Sequence, residues 1–414
     1  MKIVINSLQE TPLFQKAMST QEIKAVATKY IVNTYGDRPI ALVRGKGVRV
    51  WDPEGKEYLD FVAGIAVNLL GHCHPKVIDA VKKQIETLIH VSNLYYIEPQ
   101  VKVAQILCEL SFGQKCFFCN SGAEANEGAF KLARKYAKTH FSEDKYEIIS
   151  LENSFHGRTY AALTATGQPK YHKGFEPLVP GFHYAKLNNL DSIKEKISSK
   201  TCAVIIEPVQ GESGIYPAST EFLKGVRQLC DENNALLIYD EVQCGLGRTG
   251  KFFAYEYSGI QPDIMTLAKG LAGGVPMGAF VTTDKVASAF SPGNHAATFG
   301  GNPLSSAAAY ATLATIRDEK LTENSAKIGE FFIKQLQAMQ SKFPFMKEIR
   351  GMGLMIGIQM DRSCGDLVKK CMAQGLLCNC AADTTLRFVP PLIVTQDDIE
   401  EALGILTSVF QEAK

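Results

Sequence analysis

The chain has 414 residues, 46% hydrophobic, 9% aromatic and 21% charged, enough for a large globular domain and at least one smaller one. Its 44 Lys and Arg against 43 Asp and Glu leave no field to draw nucleic acid or an anionic membrane, so the expected partner is a small molecule. No stretch approaches the roughly 18–20 uninterrupted apolar residues of a membrane helix. The opening MKIVINSLQETPLFQK lacks the apolar core and cleavage site of a secretory signal, so a cytoplasmic protein is expected. Eleven Cys without a framework pattern read as small buried hydrophobes in a reducing compartment.

Residues 1–20 form a weakly patterned leader. From Gln21 to about Leu70 the pattern predicts a short helix and then a hairpin, IALVRGKGVRVWDPEGKEYLDF, whose apolar runs are broken by Gly-Lys-Gly and Asp-Pro-Glu-Gly turns. In KCFFCNSGAEANEGAFKLARKYA (115–137) a strand runs into a helix with Ala125, Ala129, Leu132, Ala133 and Tyr136 on one face. Ser121 and Glu124 read as a capping box. The small residues Gly122 and Ala123 leave the first N–H groups of that helix open to an anion such as phosphate, although a plain helix cap explains the pattern as well.

Further on, short apolar runs alternate with helical ones. CAVIIEPV (202–209), ALLIYDEV (235–242) and DIMTLAKG (263–270) read as buried parallel strands, with a helix from Glu221 to about Glu232 between the first two. Ligands of such sheets gather beyond the carboxyl ends of the strands, where Glu207, Asp240 and Lys269 fall. A lysine closing a buried strand is poorly placed as a solvated charge. Desolvation would lower its pKa and make it a competent nucleophile and base. An Asp facing a pyridine nitrogen would keep that nitrogen protonated and the ring an electron sink. The plainer reading is a structural Asp–Lys pair. In SFHGRTYAALTATG (154–167), Phe155 could stack on a flat ring and Arg158 could clamp a carboxylate, or they could be a core Phe and a surface Arg.

Three patterns point elsewhere and are set aside. Gly245, Gly247 and Gly250 spell a dinucleotide fingerprint, but polar residues precede it and the β-rich KFFAYEY follows, where a helix is required. Cys116 and Cys119 face opposite sides of a strand, so they share neither metal nor local disulfide. His72-Cys73-His74-Pro75 has no second ligand pair at zinc-finger spacing. No metal is expected. After Pro303 an Ala-rich helix joins the sheet to a region, from about Leu321 to Lys414, that alternates helix and strand. The organisation expected is an N-terminal segment over 1–72, a large domain over 73–304 and a small α/β domain over 305–414.

From about Gln21 onward the motifs AGIAVNLLGHCHP, NSGAEANE, SFHGRT, IIEPVQGE, YDEVQCGLGRTG, LAKGLAGGVPMG, ATFGGNPL and LRFVPPL stand in this order. On them the chain resembles the class-III, fold-type-I aminotransferases dependent on pyridoxal 5′-phosphate (PLP). The resemblance implies a large α/β domain with a mostly parallel seven-stranded sheet flanked by helices, and a smaller C-terminal α/β domain. It implies that Lys269 bonds the cofactor and shuttles a proton, Asp240 pairs with the pyridine nitrogen, and Gln243 reaches the ring hydroxyl. Gly122 and Ala123 would hold the phosphate, Phe155 would stack on the ring, and Val242 would join them as a cofactor contact. Thr298 would reach the phosphate of a neighbouring subunit, which implies a homodimer with shared active sites. Arg387 would bind the α-carboxylate of glutamate or 2-oxoglutarate, Arg158 the carboxylate of an acylated diamine, and Glu207 would mask Arg387. Position 297 is Ala where relatives often carry a hydroxyl, leaving only its backbone toward substrate.

The opening GIAVN…GHCHP and the SFHGRT run resemble the branch acting on acetylated ornithine more than the ornithine or 4-aminobutyrate branches. The implied reaction moves the δ-amino group of N2-acetylornithine to 2-oxoglutarate, as in arginine biosynthesis. Ornithine, succinylornithine or 4-aminobutyrate aminotransfer, a PLP mutase or decarboxylase, and a non-catalytic PLP-binding dimer remain as alternatives.

Overall fold

The computed structural model describes residues 18–413; most of the leader read from the sequence lies outside them. Its centre is a seven-stranded sheet made of β1 (Lys115–Cys119), β2 (Glu147–Leu151), β3 (Phe182–Ala185), β4 (Thr201–Ile206), β5 (Leu236–Asp240), β6 (Ile264–Leu267) and β7 (Gly278–Thr282). The spatial order is β1-β7-β6-β5-β4-β2-β3. Only β7 runs antiparallel to its neighbours; the rest pair in parallel. Every residue of β4, β5 and β6 is buried, which is why their sequences are continuous apolar runs rather than alternating ones. Register sets Tyr239 beside Ile206 and Asp240 beside Thr266, so the carboxyl ends of the three strands finish side by side.

Helices cover the sheet. The helix Thr220–Glu232 starts on a Ser219 cap and buries Phe222, Leu223, Val226 and Cys230. The helix Gly122–His140 buries Ala125, Ala129, Leu132, Ala133 and Tyr136, the face expected of it. Its cap differs from the expected box in one respect. Ser121 Oγ accepts from Glu124 N at 3.2 Å, but the Glu124 carboxylate bonds Asn120, at its backbone N (2.6 Å) and its Nδ2 (2.9 Å). The glutamate thus closes the turn one residue earlier, tying the strand end to the helix.

The helix Pro303–Asp318 packs on the helices Pro75–Thr87 and Glu98–Leu110 and on the 3-10 turn Lys269–Ala272, bracing the segment that carries Lys269. Beyond it, a four-stranded antiparallel sheet is ordered Met346–Met352, Met355–Met360, Thr385–Phe388, Asn379–Ala381. Against it packs the helix Leu321–Gln340, and the last helix, Gln396–Gln411, lies on that helix and on Gly365–Ala373, burying Ile399, Ala402, Leu406, Val409 and Phe410. The N-terminal strands Arg44–Lys46, Arg49–Trp51 and Glu57–Asp60 form a second small sheet whose fourth member is Leu376–Leu377, lying parallel to Glu57–Asp60. The N-terminal sheet is therefore completed by the C-terminal region. No helix among the described residues is long and apolar enough to cross a membrane.

Two readings of the sequence need correction. KFFAYEY is not β-rich: its core, Ala254–Tyr257, is a 3-10 turn whose aromatics are spaced for packing, Phe253 stacking on Tyr255 at 6.0 Å. The cysteines are not all free, because Cys364 and Cys380 form a disulfide. The other set-aside patterns have structural roles. Cys116 and Cys119 go to different neighbours, Ala104 O and Ser121 O. His72 Nε2 meets Asp60 Oδ2 at 2.7 Å, and among the described residues no group of side chains suits a metal ion. A Cβ at Gly247 or Gly250 would press on Leu392 or Ala326, so these glycines seat the loop against the small domain. Between them Arg248 is fully buried and donates to Leu354 O and Pro390 O.

Candidate active site

The ends of β4, β5 and β6 open into a cavity of about 300 Å³ lined by Glu207, Asp240, Val242, Gln243 and Lys269 from the strand ends, with Gly122, Ala123 and Phe155 facing them. The alternation of strand and helix thus brings into one hollow every residue expected at the cofactor except Thr298. At one wall is the start of the helix Gly122–His140. Glu124 N is taken by Ser121 Oγ, which leaves the N–H groups of Gly122 and Ala123, without partners inside the helix, for an anion. Side chains are small there by necessity. A Cβ at Gly122 would lie 2.8 Å from a Val242 methyl, and one at Gly157 would lie 2.6 Å from the Ala123 Cβ. Gly157 also holds φ at +134°, a conformation closed to other residues.

Asp240 is 4% exposed and well supplied with donors. Oδ1 accepts from Val242 N at 3.0 Å; Oδ2 accepts from Asn126 Nδ2 at 2.8 Å and meets His156 Nδ1 at 2.8 Å. A carboxylate has about four acceptor sites, so one remains for a donor inside the cavity. Asn126 and His156 were not singled out from the sequence, although Asn126, one turn after Gly122, had to share its face of the helix.

Lys269 follows β6 in the left-handed region, at φ +43°. Burial, and then the positive charge of Arg387, lower its pKa below the ordinary lysine value, against the opposing pull of Glu212, Asp240 and Glu207. Glu207 is pushed up to about 7, chiefly by burial and further by Asp240, while His156 pulls the other way.

The expected Glu207–Arg387 pair is absent. Glu207 accepts instead from Phe155 N at 3.0 Å and, weakly, from Gly211 N at 3.4 Å. The partner of Arg387 is Glu212, five residues on, at 2.8 Å. The same guanidinium donates to Gly211 O (2.9 Å), Gln243 Oε1 (3.2 Å) and Asn379 Oδ1 (3.2 Å), and Gln243 Nε2 donates to Glu212 at 3.0 Å. Burial alone would raise the pKa of Glu212, but Arg387 and Lys269 outweigh it and hold the carboxyl at about 2. Between the two glutamates Val209–Gln210 forms a short strand paired with Tyr216–Pro217, and Glu212 sits in the turn that joins them, beside the small domain's Arg387.

Glu212 also lines a larger, open chamber of about 1010 Å³ between Tyr171, Lys170 and Lys186 on the large domain and Cys380–Asp383 on the small one. Arg158 is exposed and stands over the Tyr171 ring at 4.2 Å, on the chamber side of Phe155. Thr298 and Ala297 are elsewhere. They line hollows beside Asn93 and His295 and not the cavity that Lys269 lines.

A buried amine of lowered pKa, a carboxylate with one free acceptor site, an aromatic wall and an anion cradle together fit a flat, phosphorylated pyridine aldehyde. Comparison with known proteins agrees: the family model for class-III aminotransferases matches residues 30–410. The chain belongs to this family. Class-III aminotransferases exchange amino groups between small molecules, and this chain is one of them; membership of the family implies PLP as the cofactor. It is 54% identical over 387 residues to the acetylornithine aminotransferase of Caldanaerobacter subterraneus subsp. tengcongensis, covering 93% of this chain and 98% of that one. It is 52% identical to the acetylornithine aminotransferase of Methanocaldococcus jannaschii, over 96% of this chain and all of that one. Among solved structures, the ornithine aminotransferase of Toxoplasma gondii superposes with a TM-score of 0.93 at 33% identity, covering 96% of each chain. The acetylornithine aminotransferase of Elizabethkingia anophelis superposes at 0.86 with 32% identity, over 95% of this chain and all of that one.

Proposed function

We propose that this aminotransferase moves the δ-amino group of N2-acetylornithine to 2-oxoglutarate, giving N-acetylglutamate 5-semialdehyde and glutamate, with PLP as cofactor. The observation that carries the reading is the Arg387–Glu212–Gln243 cluster where the cavity meets the outer chamber. One site must accept two different substrates in turn. Acetylornithine brings an amine with no carboxylate beside the reacting carbon, whereas 2-oxoglutarate brings a carboxylate next to it. Arg387 neutralised by Glu212 suits the first; Arg387 released to clamp a carboxylate suits the second. The acetylornithine aminotransferases among its relatives, 46–54% identical, support the choice of amine.

When bound, PLP supplies an aldehyde that bonds amines and a ring that draws electrons from the carbon next to the nitrogen. The N–H groups of Gly122 and Ala123 hold its phosphate, and Phe155 and Val242 flank the ring. Asp240, fixed by Asn126 and His156, keeps the ring nitrogen protonated, and Gln243 reaches the ring hydroxyl. Lys269 Nζ, its pKa lowered by burial, takes the proton from the δ-carbon of acetylornithine. In the return half it delivers a proton to the α-carbon of the departing glutamate. Arg158, at the chamber side, holds the α-carboxylate of acetylornithine, while Ala297 offers only backbone.

Thr298 completes the cradle of a second copy. Its absence from the lining of its own chain's cavity supports a homodimer with shared sites, as do the exposed Leu94, Tyr95 and Tyr96 near Asn93 and Thr298. The test is a half-reaction on PLP-loaded protein without 2-oxoglutarate, followed by visible absorbance. Acetylornithine is expected to bleach the band at lower concentration than ornithine or 4-aminobutyrate, and 2-oxoglutarate to restore it. Preference for ornithine would overturn the choice of amine, and no response to any amine would overturn the whole reading.

A further inference from the structure

We propose that Cys364–Cys380 is a thiol-exchange site facing the outer chamber, where reduction by a small dithiol loosens the chamber rim and weakens substrate binding. The disulfide joins two unlike places. Cys364 is fully buried and is the N-cap residue of the helix Gly365–Ala373. Cys380, half-buried, lies in the strand Asn379–Ala381 and lines the chamber. Of the two sulfurs, only the second can be reached by a dissolved thiol.

The strand runs into a tight turn and returns as Thr385–Phe388, with Ala381 paired to Thr385 and Asn379 to Arg387. Within the turn, Ala382 (φ +47°) and Asp383 (φ +65°) both occupy the left-handed region, where a Cβ crowds the neighbouring carbonyl and which Ala rarely adopts. The turn is held from the Cys364 side. Cys364 N donates to Asp383 O at 2.8 Å, Ser363 Oγ donates to Asp383 Oδ1 at 2.7 Å, and the disulfide fastens the residue two positions before Ala382. Ala381, Ala382 and Asp383 form the small-domain lip of the chamber, and the same hairpin presents Arg387, whose Nε donates to Asn379. The sulfur bridge is thus the covalent member of a clamp on a strained lip.

Exchange begins with one thiolate of the dithiol attacking Cys380 Sγ from the chamber. The Cys364–Cys380 bond breaks, a mixed disulfide forms at Cys380, and Cys364 leaves as a thiolate that takes up a proton. The second thiolate of the reductant then closes on its own sulfur and releases Cys380. Both cysteines take up protons; the dithiol loses two electrons and two protons and ends as a cyclic disulfide. The freed Cys380 thiol has an acceptor in place, its Sγ lying 3.0 Å from Asp383 O. With the clamp open the turn relaxes, the lip moves, and Asn379 holds Arg387 less firmly. Asp240, at the end of β5, and Lys269, just beyond β6, are untouched.

The kinetic readout rests on the proposed function; the chemical one does not. Purified holoenzyme is alkylated and digested without reductant, then again after mild dithiothreitol. Expected are a Cys364–Cys380 cross-linked peptide before treatment and two alkylated cysteines after it. With reduction, KM for 2-oxoglutarate should rise at least threefold while kcat stays within twofold, and oxidised glutathione should reverse the change. Dithiothreitol also adds to aldehydes, so Cys364→Ser serves as control: its KM should be raised throughout and insensitive to thiol. If the enzyme used neither substrate, faster proteolysis at residues 382–384 after reduction would still report the loosened lip. Absence of the cross-link even after oxidised glutathione, or an unchanged KM and unchanged proteolysis on reduction, would overturn the proposal.

Discussion

Lys269, Glu207 and Glu212 sit within one network, yet burial and neighbouring charge send them in different directions. The amine is pushed toward neutrality, Glu207 is raised to about 7 and Glu212 held at about 2. Lys269→Ala should cost at least about a thousandfold in turnover, measured as glutamate formed, because it removes both the bonding amine and the proton carrier. Glu207 has a folded value above its ordinary 4.5. Its contribution to stability is therefore fully present below about 4.5 and is lost as pH rises through about 7. Melting temperatures of the wild type and Glu207→Gln should lie close together near pH 5, where the buried carboxyl is neutral like the amide, and diverge toward pH 8, the variant falling less with pH; parallel curves would contradict the buried, proton-holding Glu207. Glu212→Gln leaves Arg387 without its counter-charge. It should shift the ratio of half-reaction rates toward glutamate and away from acetylornithine by about tenfold or more, roughly 1.4 kcal/mol.

At the scale of elements, the cradle depends on two close approaches of backbone. Gly157→Ala would place a Cβ against Ala123 and force Ala to φ +134°; a loss of about 1–3 kcal/mol in thermal or denaturant unfolding is expected, together with weaker PLP retention on dialysis. The sequence spoke most clearly in the central sheet. Continuous apolar runs ending in Glu207, Asp240 and Lys269 could only be buried strands with polar ends, and their alternation with helices made the ends adjacent. Other features depended on direction in space. Nothing local distinguishes Glu207 from Glu212 as the partner of Arg387, because the outcome turns on how a short loop faces a strand about 175 residues away. Cys364 and Cys380 are 16 residues apart with no distinctive spacing, and they meet because the helix Gly365–Ala373 between them is followed by a strand that returns past its start. Phe253 and Tyr255 alternate as strand residues do, yet tight aromatic packing in a 3-10 turn produces the same pattern.

For the molecule as a whole, the placing of Thr298 outside its own chain's cavity makes a prediction about subunits. In a shared-site dimer, Lys269→Ala and Thr298→Ala homodimers each carry two defective sites, but a mixed dimer carries one intact and one doubly defective site. Mixing the two after dissociation should restore about a quarter of wild-type activity at saturating substrate and limiting PLP, since half of the randomly assorted dimers carry one good site of two. Additive activity without gain would mean that each chain completes its own site.

The strand Leu376–Leu377 closes the N-terminal sheet by receiving the N–H groups of Leu59 and Phe61 at Gly375 O and Leu377 O. On a ribosome adding roughly 5–20 residues per second, that edge waits about 15 to 60 seconds for its partner to be made. During synthesis the first folded segment therefore offers an open strand edge to its surroundings, and the last hundred residues act as its cover. Growth conditions that slow translation lengthen this exposure, a hazard to yield that the finished enzyme no longer displays.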